Sequence, residues 1–356
     1  MRAIGTLAMV VLTGCGSENA LRGSVAPEDG VDTETSTPVG DDDDEPVPVA
    51  GTGELEGRVC APDGTTYLAL ADVFLVAGDE VYRTQTDGQG FFLLTGLPAG
   101  TWNVTVEKGS FVVSHDITIE EGVRTSVGGQ ECVPIDPGNT DIAVVSGAYD
   151  SIEDVLDVME LDYTLYNGRN GTAYLDLLRD PSELAKYDIV FLNCGMGEQW
   201  RDHQAEINAN LKDYVQQGGS IYASDWAYYL VESTWPAKND FHGNDARFGD
   251  AAVGSQGSVS ATVLDAAMIE VLDRSSANLN FDLGMWVAMV DVSPDAEVLI
   301  EGTYRWNSYG NGGTETGPLA TRLHDGDGTV VFTSFHNERQ ATADMAKLLQ
   351  EIILSL

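Results

Sequence analysis

The chain is 356 residues long, enough for more than one domain. It sets 18 Lys and Arg against 57 Asp and Glu, a formal charge of −39. So acidic a surface excludes nucleic acid and anionic membrane surfaces as electrostatic partners, and it suits a saline or cation-rich setting.

Met1 to Cys15 has the features of an export signal. Arg2 supplies the positive start, and Ala3 to Leu12 is an apolar run too short to span a bilayer. The run ends in Leu12-Thr13-Gly14-Cys15, which resembles the bacterial lipobox. That resemblance implies lipidation of Cys15, which would become the mature N-terminus; an ordinary secretory signal with an incidental cysteine is the alternative. The expected location is exported and membrane-anchored, at a bacterial outer membrane or cell surface, with the membrane as a partner through the lipid. Residues 16–52 lack periodicity and are rich in Gly, Ser, Thr, Pro and acid, including Asp41 to Glu45. Like charges repel and extend the chain, so this stretch reads as a disordered acidic linker.

From Gly53 the pattern becomes short alternating strands. Glu54–Cys60, Ala71–Ala77, Val81–Thr86, Phe91–Leu94, Thr101–Lys108, Phe111–Ile119 and Val123–Val127 are predicted strands. Pro62-Asp63-Gly64, Asp87-Gly88-Gln89-Gly90 and Leu97-Pro98-Ala99-Gly100 are predicted turns. Seven strands suit a β-sandwich. With Gly57-Arg58-Val59 and Thr86 to Phe91, these turns resemble the carboxypeptidase regulatory-like family over residues 53–133. The resemblance implies a prealbumin-like sandwich of the carbohydrate-binding-like fold group, with a structural, glycan-binding or protein-binding role and no peptidase activity. Phe91 and Trp102 are expected in its core. In an exported protein Cys60 and Cys132 would form a disulfide, contributing about 4 kcal/mol on the chain-entropy model, with two free thiols as the alternative.

Residues 134–140 read as a linker, after which strands and helices alternate. Strands are predicted at Asp141–Ser146, Tyr163–Tyr166, Asp188–Asn193 and Ser220–Ser224. Helices are predicted at Ile152–Met159, Tyr174–Leu178, Ser182–Ala185 and Ala205–Gln217. This βαβ pattern predicts an α/β flavodoxin-like domain over 141–356, with a mostly parallel sheet. Further strands are expected at Ser258–Leu264, Trp286–Val292, Glu297–Tyr304, Leu319–Leu323 and Thr329–Phe335, with helices at Ala266–Leu272 and Ala341–Leu354. Asp325-Gly326-Asp327-Gly328 is a predicted hairpin turn that lacks the spacing of a full calcium loop.

Ligands gather at the carboxyl ends of strands in an open parallel sheet. Those ends carry Cys194-Gly195-Met196-Gly197, Ser224-Asp225-Trp226 and Phe335-His336-Asn337-Glu338. Ala223 and Ala227 flank Asp225 as small residues flank a nucleophile at a strand-to-helix corner. The order and spacing resemble the class I glutamine amidotransferase-like fold, including its trehalose-utilisation-type relatives. The resemblance implies an oxyanion turn at Gly195, an elbow at Asp225 or Ser224, and a His-x-Glu pair at His336 and Glu338. The elbow carries no Cys, and this family's glutaminase route needs a thiolate. Glutaminase activity is therefore not expected, and Asp225 is expected to cap a helix and pair with His336. Cys194 reads as a small strand-end residue.

The sequence thus predicts a non-catalytic binding or structural lipoprotein, with a glycan, small molecule or protein as partner. Its pocket would be formed by Gly195, Ser224, Asp225, Trp226, His336 and Glu338. The alternative is a hydrolase using Asp225, His336 and Glu338. A metal site from those three residues lacks zinc-type spacing, and neither metal nor cofactor is expected.

Overall fold

A computed structural model describes residues 51–128, 132–236, 238–243, 248–308, 311–337 and 341–356. Cys15 with its lipobox, the acidic linker up to Ala50, and Glu338 lie outside the described residues.

The N-terminal part comprises β1 (Thr52–Cys60), β2 (Asp72–Ala77), β3 (Glu80–Gln85), β4 (Phe91–Pro98), β5 (Gly100–Lys108), β6 (Phe111–Ile119), β7 (Arg124–Ser126) and β8 (Val133–Pro134). Period-2 alternation gives β1 one buried face, Leu55, Gly57 and Val59, as a strand with one covered side requires. One sheet runs β4–β1–β7 with β8 beside β1, and the other runs β3–β2–β5–β6. Leu55 and Val59 of the first share a core with Val73, Leu75, Val104 and Val106 of the second. Cys60 is bonded to Cys132, closing the expected loop. Phe91 departs from expectation. It is 51% exposed, and the Arg58 guanidinium lies 4.5 Å from its ring centre and 3.2 Å from that of Tyr67. Trp102 is partly buried and donates from its indole to Pro98 O at 2.8 Å.

The C-terminal part is built on a ten-stranded sheet. β9 (Ile142–Val145), α1 (Ile152–Val158), β10 (Thr164–Tyr166), α2 (Tyr174–Leu178), α3 (Pro181–Leu184), β11 (Ile189–Leu192), α4 (Gln204–Gln216), β12 (Ser220–Ser224) and α5 (Tyr228–Thr234) follow the predicted alternation. Then come β13 (Asn239–Phe241), β14 (Val253–Gly254), β15 (Gly257–Val263), α6 (Ala266–Leu272), β16 (Ser276–Phe281) and β17 (Met289–Val292). The chain closes with β18 (Ala296–Ser308), β19 (Asn311–Asp325), β20 (Gly328–Thr333) and α7 (Ala343–Leu354). The strand order is β10–β9–β11–β12–β20–β19–β18–β15–β16, with β14 beside β18.

This architecture corrects the expected fold class of a prealbumin-like sandwich followed by a flavodoxin-like domain with a mostly parallel sheet. The structure is mostly β, and its large sheet is mixed. Pairing is parallel from β10 to β20 and antiparallel from β20 to β16. The antiparallel half arises because β19 and β20 are joined by the tight turn at Asp325 to Gly328, whereas parallel neighbours need a crossover. The N-terminal sheets depart too, since β1 pairs in parallel with both β7 and β8.

β16 was not among the predicted strands, and β18 and β19 extend well beyond their predicted bounds. The extension of β19 begins Asn311-Gly312-Gly313, an exposed stretch that pairs with Trp306 to Ser308. Its strand character comes from backbone pairing to β18 rather than from an alternating buried face.

Candidate functional site at the strand ends

β9, β11, β12 and β20 are parallel neighbours in step. Leu192 lies opposite both Val145 and Ala223, and Ser224 lies opposite Thr333. Strands in such register end on the same side, so the segments that follow them converge. Those segments carry Asp150, Cys194, Asp225 and His336, each at most 4% exposed.

β12 is buried at every position, and the chain leaves it through a tight corner. Asp225 has a φ of 45°, in the left-handed region where Asp and Asn are among the few side chains tolerated. Its Oδ1 accepts a 2.6 Å hydrogen bond from the Val287 amide. Its Oδ2 accepts from Cys194 Sγ at 3.3 Å and lies 3.4 Å from His336 Nε2. The expected pairing with His336 is therefore present in the geometry, but the helix cap is not. Ser224 precedes the short 3-10 turn Asp225–Ala227, α5 begins only at Tyr228, and the carboxylate reaches residue 287 instead.

Ser224 and Asp150 tie the converging segments together. Ser224 Oγ accepts from the Cys194 amide at 2.9 Å and donates to Asp150 Oδ2 at 2.5 Å. Asp150 Oδ1 accepts from the Asn337 amide at 3.1 Å. Asp150 was absent from the sequence-predicted site; its position just beyond the first strand of the α/β part was the available signal. Gly195 has a φ of 83°, and a Cβ there would come within 2.7 Å of Tyr149. Its carbonyl accepts from the Ala148 amide at 3.2 Å, and the Met196 amide donates to Asn193 O at 3.2 Å. Gly195 therefore shapes the turn and does not line the cavity.

Electrostatics follow from burial and crowding of acids. Burial pushes the Asp150 carboxyl above its ordinary value, partly opposed by the charge of His336 and the hydrogen bond from Ser224. Burial and the Asp225 charge push the Cys194 thiol well above its usual range. Burial alone would lower the His336 value, but the hydrogen bond to Asp225 and the charges of Asp150 and Asp225 outweigh it, so the net direction is upward.

Asp225, Cys194 and His336 line a cavity of about 370 Å³ whose other walls include Trp226 and Trp286. Trp226 Nε1 donates to Met285 O at 2.8 Å, and the Trp286 ring lies 4.1 Å from that of Phe281, stacked on it. Tyr149, Leu283 and Met285, all more than half exposed, stand where the cavity meets solvent. Of the predicted site residues, Asp225, Trp226 and His336 line this space, and Ser224 supports it from behind. The arrangement offers a carboxylate–imidazole pair and a protonated thiol to whatever enters. It does not offer an activated thiolate.

The chain matches no protein-family model and no curated protein. Among solved structures it is similar to a cytoplasmic protein of Salmonella typhimurium, at 13% identity over 59% of this chain and 98% of that one, with a TM-score of 0.38. It is similar to a glutamine amidotransferase of Thermotoga maritima, at 10% identity over 55% of this chain and 75% of that one, TM-score 0.35. A β-galactosidase of Bacillus circulans is similar at 14% identity, over 62% of this chain and 30% of that one, TM-score 0.33. Amidotransferase-like proteins are thus among its structural neighbours at low identity, and the chemistry of the site stands on this chain's own residues.

Proposed function

We propose that the protein is an exported, lipid-anchored binding protein that holds a small molecule or glycan end in the strand-end cavity and does not turn it over. The carrying observation is the state of the Asp225 carboxylate. It sits at an elbow, where a nucleophile would stand, yet one oxygen is held by the Val287 amide and the other faces Cys194 and His336. The neighbouring thiol is kept protonated by burial and by the Asp225 charge. A cavity lined by Trp226, Trp286 and Asp225 suits a ligand with an apolar face and hydroxyl groups. Cys15 would hold the protein at the membrane, and the acidic linker would extend it from the surface.

The test is a glycan and small-metabolite binding screen on the full-length protein, read by calorimetry and by Trp fluorescence. Binding that weakens at least tenfold in Trp226→Ala, without turnover of the bound compound, is the expected result. Absence of binding across the screen, or binding indifferent to Trp226, would overturn the cavity assignment. In cells, Cys15→Ser should move the protein from the membrane fraction to the soluble exported fraction; unchanged fractionation would remove the anchor.

One observation favours a second reading. The left-handed φ of Asp225 is the backbone strain expected of an elbow nucleophile, and His336 stands within reach of its carboxylate. A hydrolase of this kind would show ester or glycoside hydrolysis that disappears in Asp225→Asn while the fold persists.

A further inference from the structure

We propose that Cys194, Asp225 and His336 form a three-ligand site for a divalent transition metal of the zinc class, with its fourth position open to the strand-end cavity. This deepens the binding reading above, because it names an occupant of the same cavity.

The three side chains come from three different strand ends and are all buried, and their donor atoms lie within 4.8 Å of one another. Sulfur, nitrogen and carboxylate oxygen form a donor set characteristic of zinc. With metal–ligand bonds of about 2.0–2.3 Å, a tetrahedral site has donor-to-donor edges of about 3.3–3.6 Å. The two edges that meet at Asp225 Oδ2 measure 3.3 Å to Cys194 Sγ and 3.4 Å to His336 Nε2. Two of the three edges therefore already have the length such an ion requires, and the third, between Cys194 and His336, is no longer than 4.8 Å.

The surroundings orient the ligands as outer-sphere partners do. The Val287 amide holds Oδ1 of Asp225 and turns Oδ2 toward Cys194 and His336. Ser224 Oγ fixes the Cys194 backbone, and Asp150 fixes Ser224 in turn. The charges also balance. Among the described residues the cavity lining carries no Lys or Arg, so a divalent ion would be neutralised by one thiolate and one carboxylate. On ligation the Cys194 sulfur gives its proton, and His336 any proton it carries, to solvent, and no oxidant or reductant is needed. The fourth ligand, water or a ligand hydroxyl, would come from the cavity. Three protein ligands with one open position is the arrangement of zinc sites that engage a substrate or ligand.

The test is titration of the metal-stripped full-length protein with Co²⁺, followed by its absorption, and competition with Zn²⁺. The expected result is one equivalent bound with a thiolate-to-cobalt charge-transfer band, displaced by Zn²⁺. Cys194→Ser should abolish that band, and His336→Gln should weaken binding at least a hundredfold, with circular dichroism confirming the fold. Should a variant fail to fold, the wild-type spectrum still decides. Binding without the thiolate band, as the acidic run Asp41 to Glu45 would give through oxygen alone, overturns the proposal. So does the absence of stoichiometric uptake. Running the ligand screen on both metal-free and Zn²⁺-loaded protein separates the two readings. Ligand binding with no metal uptake removes this inference alone, whereas metal uptake with the thiolate band and no ligand supports it and removes the small-molecule reading.

Discussion

Asp225 is constrained twice, by a left-handed backbone and by a carboxylate committed to a distant amide. Asp225→Ala leaves the Val287 N–H buried without its acceptor, which costs about 1–3 kcal/mol. It also puts a side chain that cannot hydrogen-bond locally at positive φ, worth roughly a further 1 kcal/mol. The Ala variant should therefore lose roughly 2–4 kcal/mol in urea denaturation, and Asp225→Asn, which keeps an acceptor and tolerates that φ, should lose less. Equal losses would show that the amide contact contributes nothing. Asp225 and His336 were legible in the sequence because both follow buried apolar runs, and because small residues flank the corner. Asp150 was not, because its partners Ser224 and Asn337 lie 74 and 187 positions away and no local motif surrounds it. Cys194 was legible as a strand-end residue, but its contact with Asp225 depends on the register between β11 and β12.

α7 shows what periodicity does determine. Met345, Leu348, Leu349, Ile352 and Ile353 form its buried stripe, and Thr342 caps it by accepting from the Met345 amide at 3.1 Å. In its first turn Asp344 accepts from Arg274 and, at 2.9 Å, from the Asn278 amide. Burial alone would raise the Asp344 value, but these partners outweigh it, so the carboxyl is held below its ordinary 3.8. A depressed folded value means that the stabilisation is present above the unfolded value and is lost as pH falls through the folded one. Asp344→Asn should thus cost about 1 kcal/mol at neutral pH. The gap from wild type in thermal melts should close as pH drops below 3.8; a gap unchanged down to acid unfolding would contradict the pairing. Helices and buried strands were legible at this scale because each declares its own covered face. Strand direction was not, since an apolar run reads the same in a parallel or an antiparallel neighbour, and the exposed half of β19 carries no apolar pattern at all.

The described residues belong to one compact unit. Lys108 at the end of β5 donates to Ala69 O and to Glu351 of α7, and both charged groups are nearly inaccessible. Burial pushes the Glu351 carboxyl upward, with the Lys108 charge opposing it. Removing one partner of such a buried pair strands the other, so Lys108→Met should cost about 3–5 kcal/mol. Adding Glu351→Leu should recover most of that loss; a double variant no better than the single would show that the pair matters for packing alone. The sequence hid this junction because its partners lie 243 positions apart.

The same junction is reinforced nearby. The Ser110 amide and hydroxyl both donate to Leu356 O, at 2.7 and 2.8 Å, and Gln350 Nε2 donates to Thr66 Oγ1 at 3.3 Å. The N-terminal sheets are therefore clasped by the last turns of the chain, and the segment between the two parts is no hinge. A protease nick between Asp136 and Asp141 should leave two fragments that co-elute and melt in a single transition. A graft that carried residues 53–133 to another host would transplant what is contiguous in sequence and leave behind the clasp. What moves as one body here is assembled from segments far apart in the polypeptide, so modular inheritance of the N-terminal sheets would require α7 to travel with them.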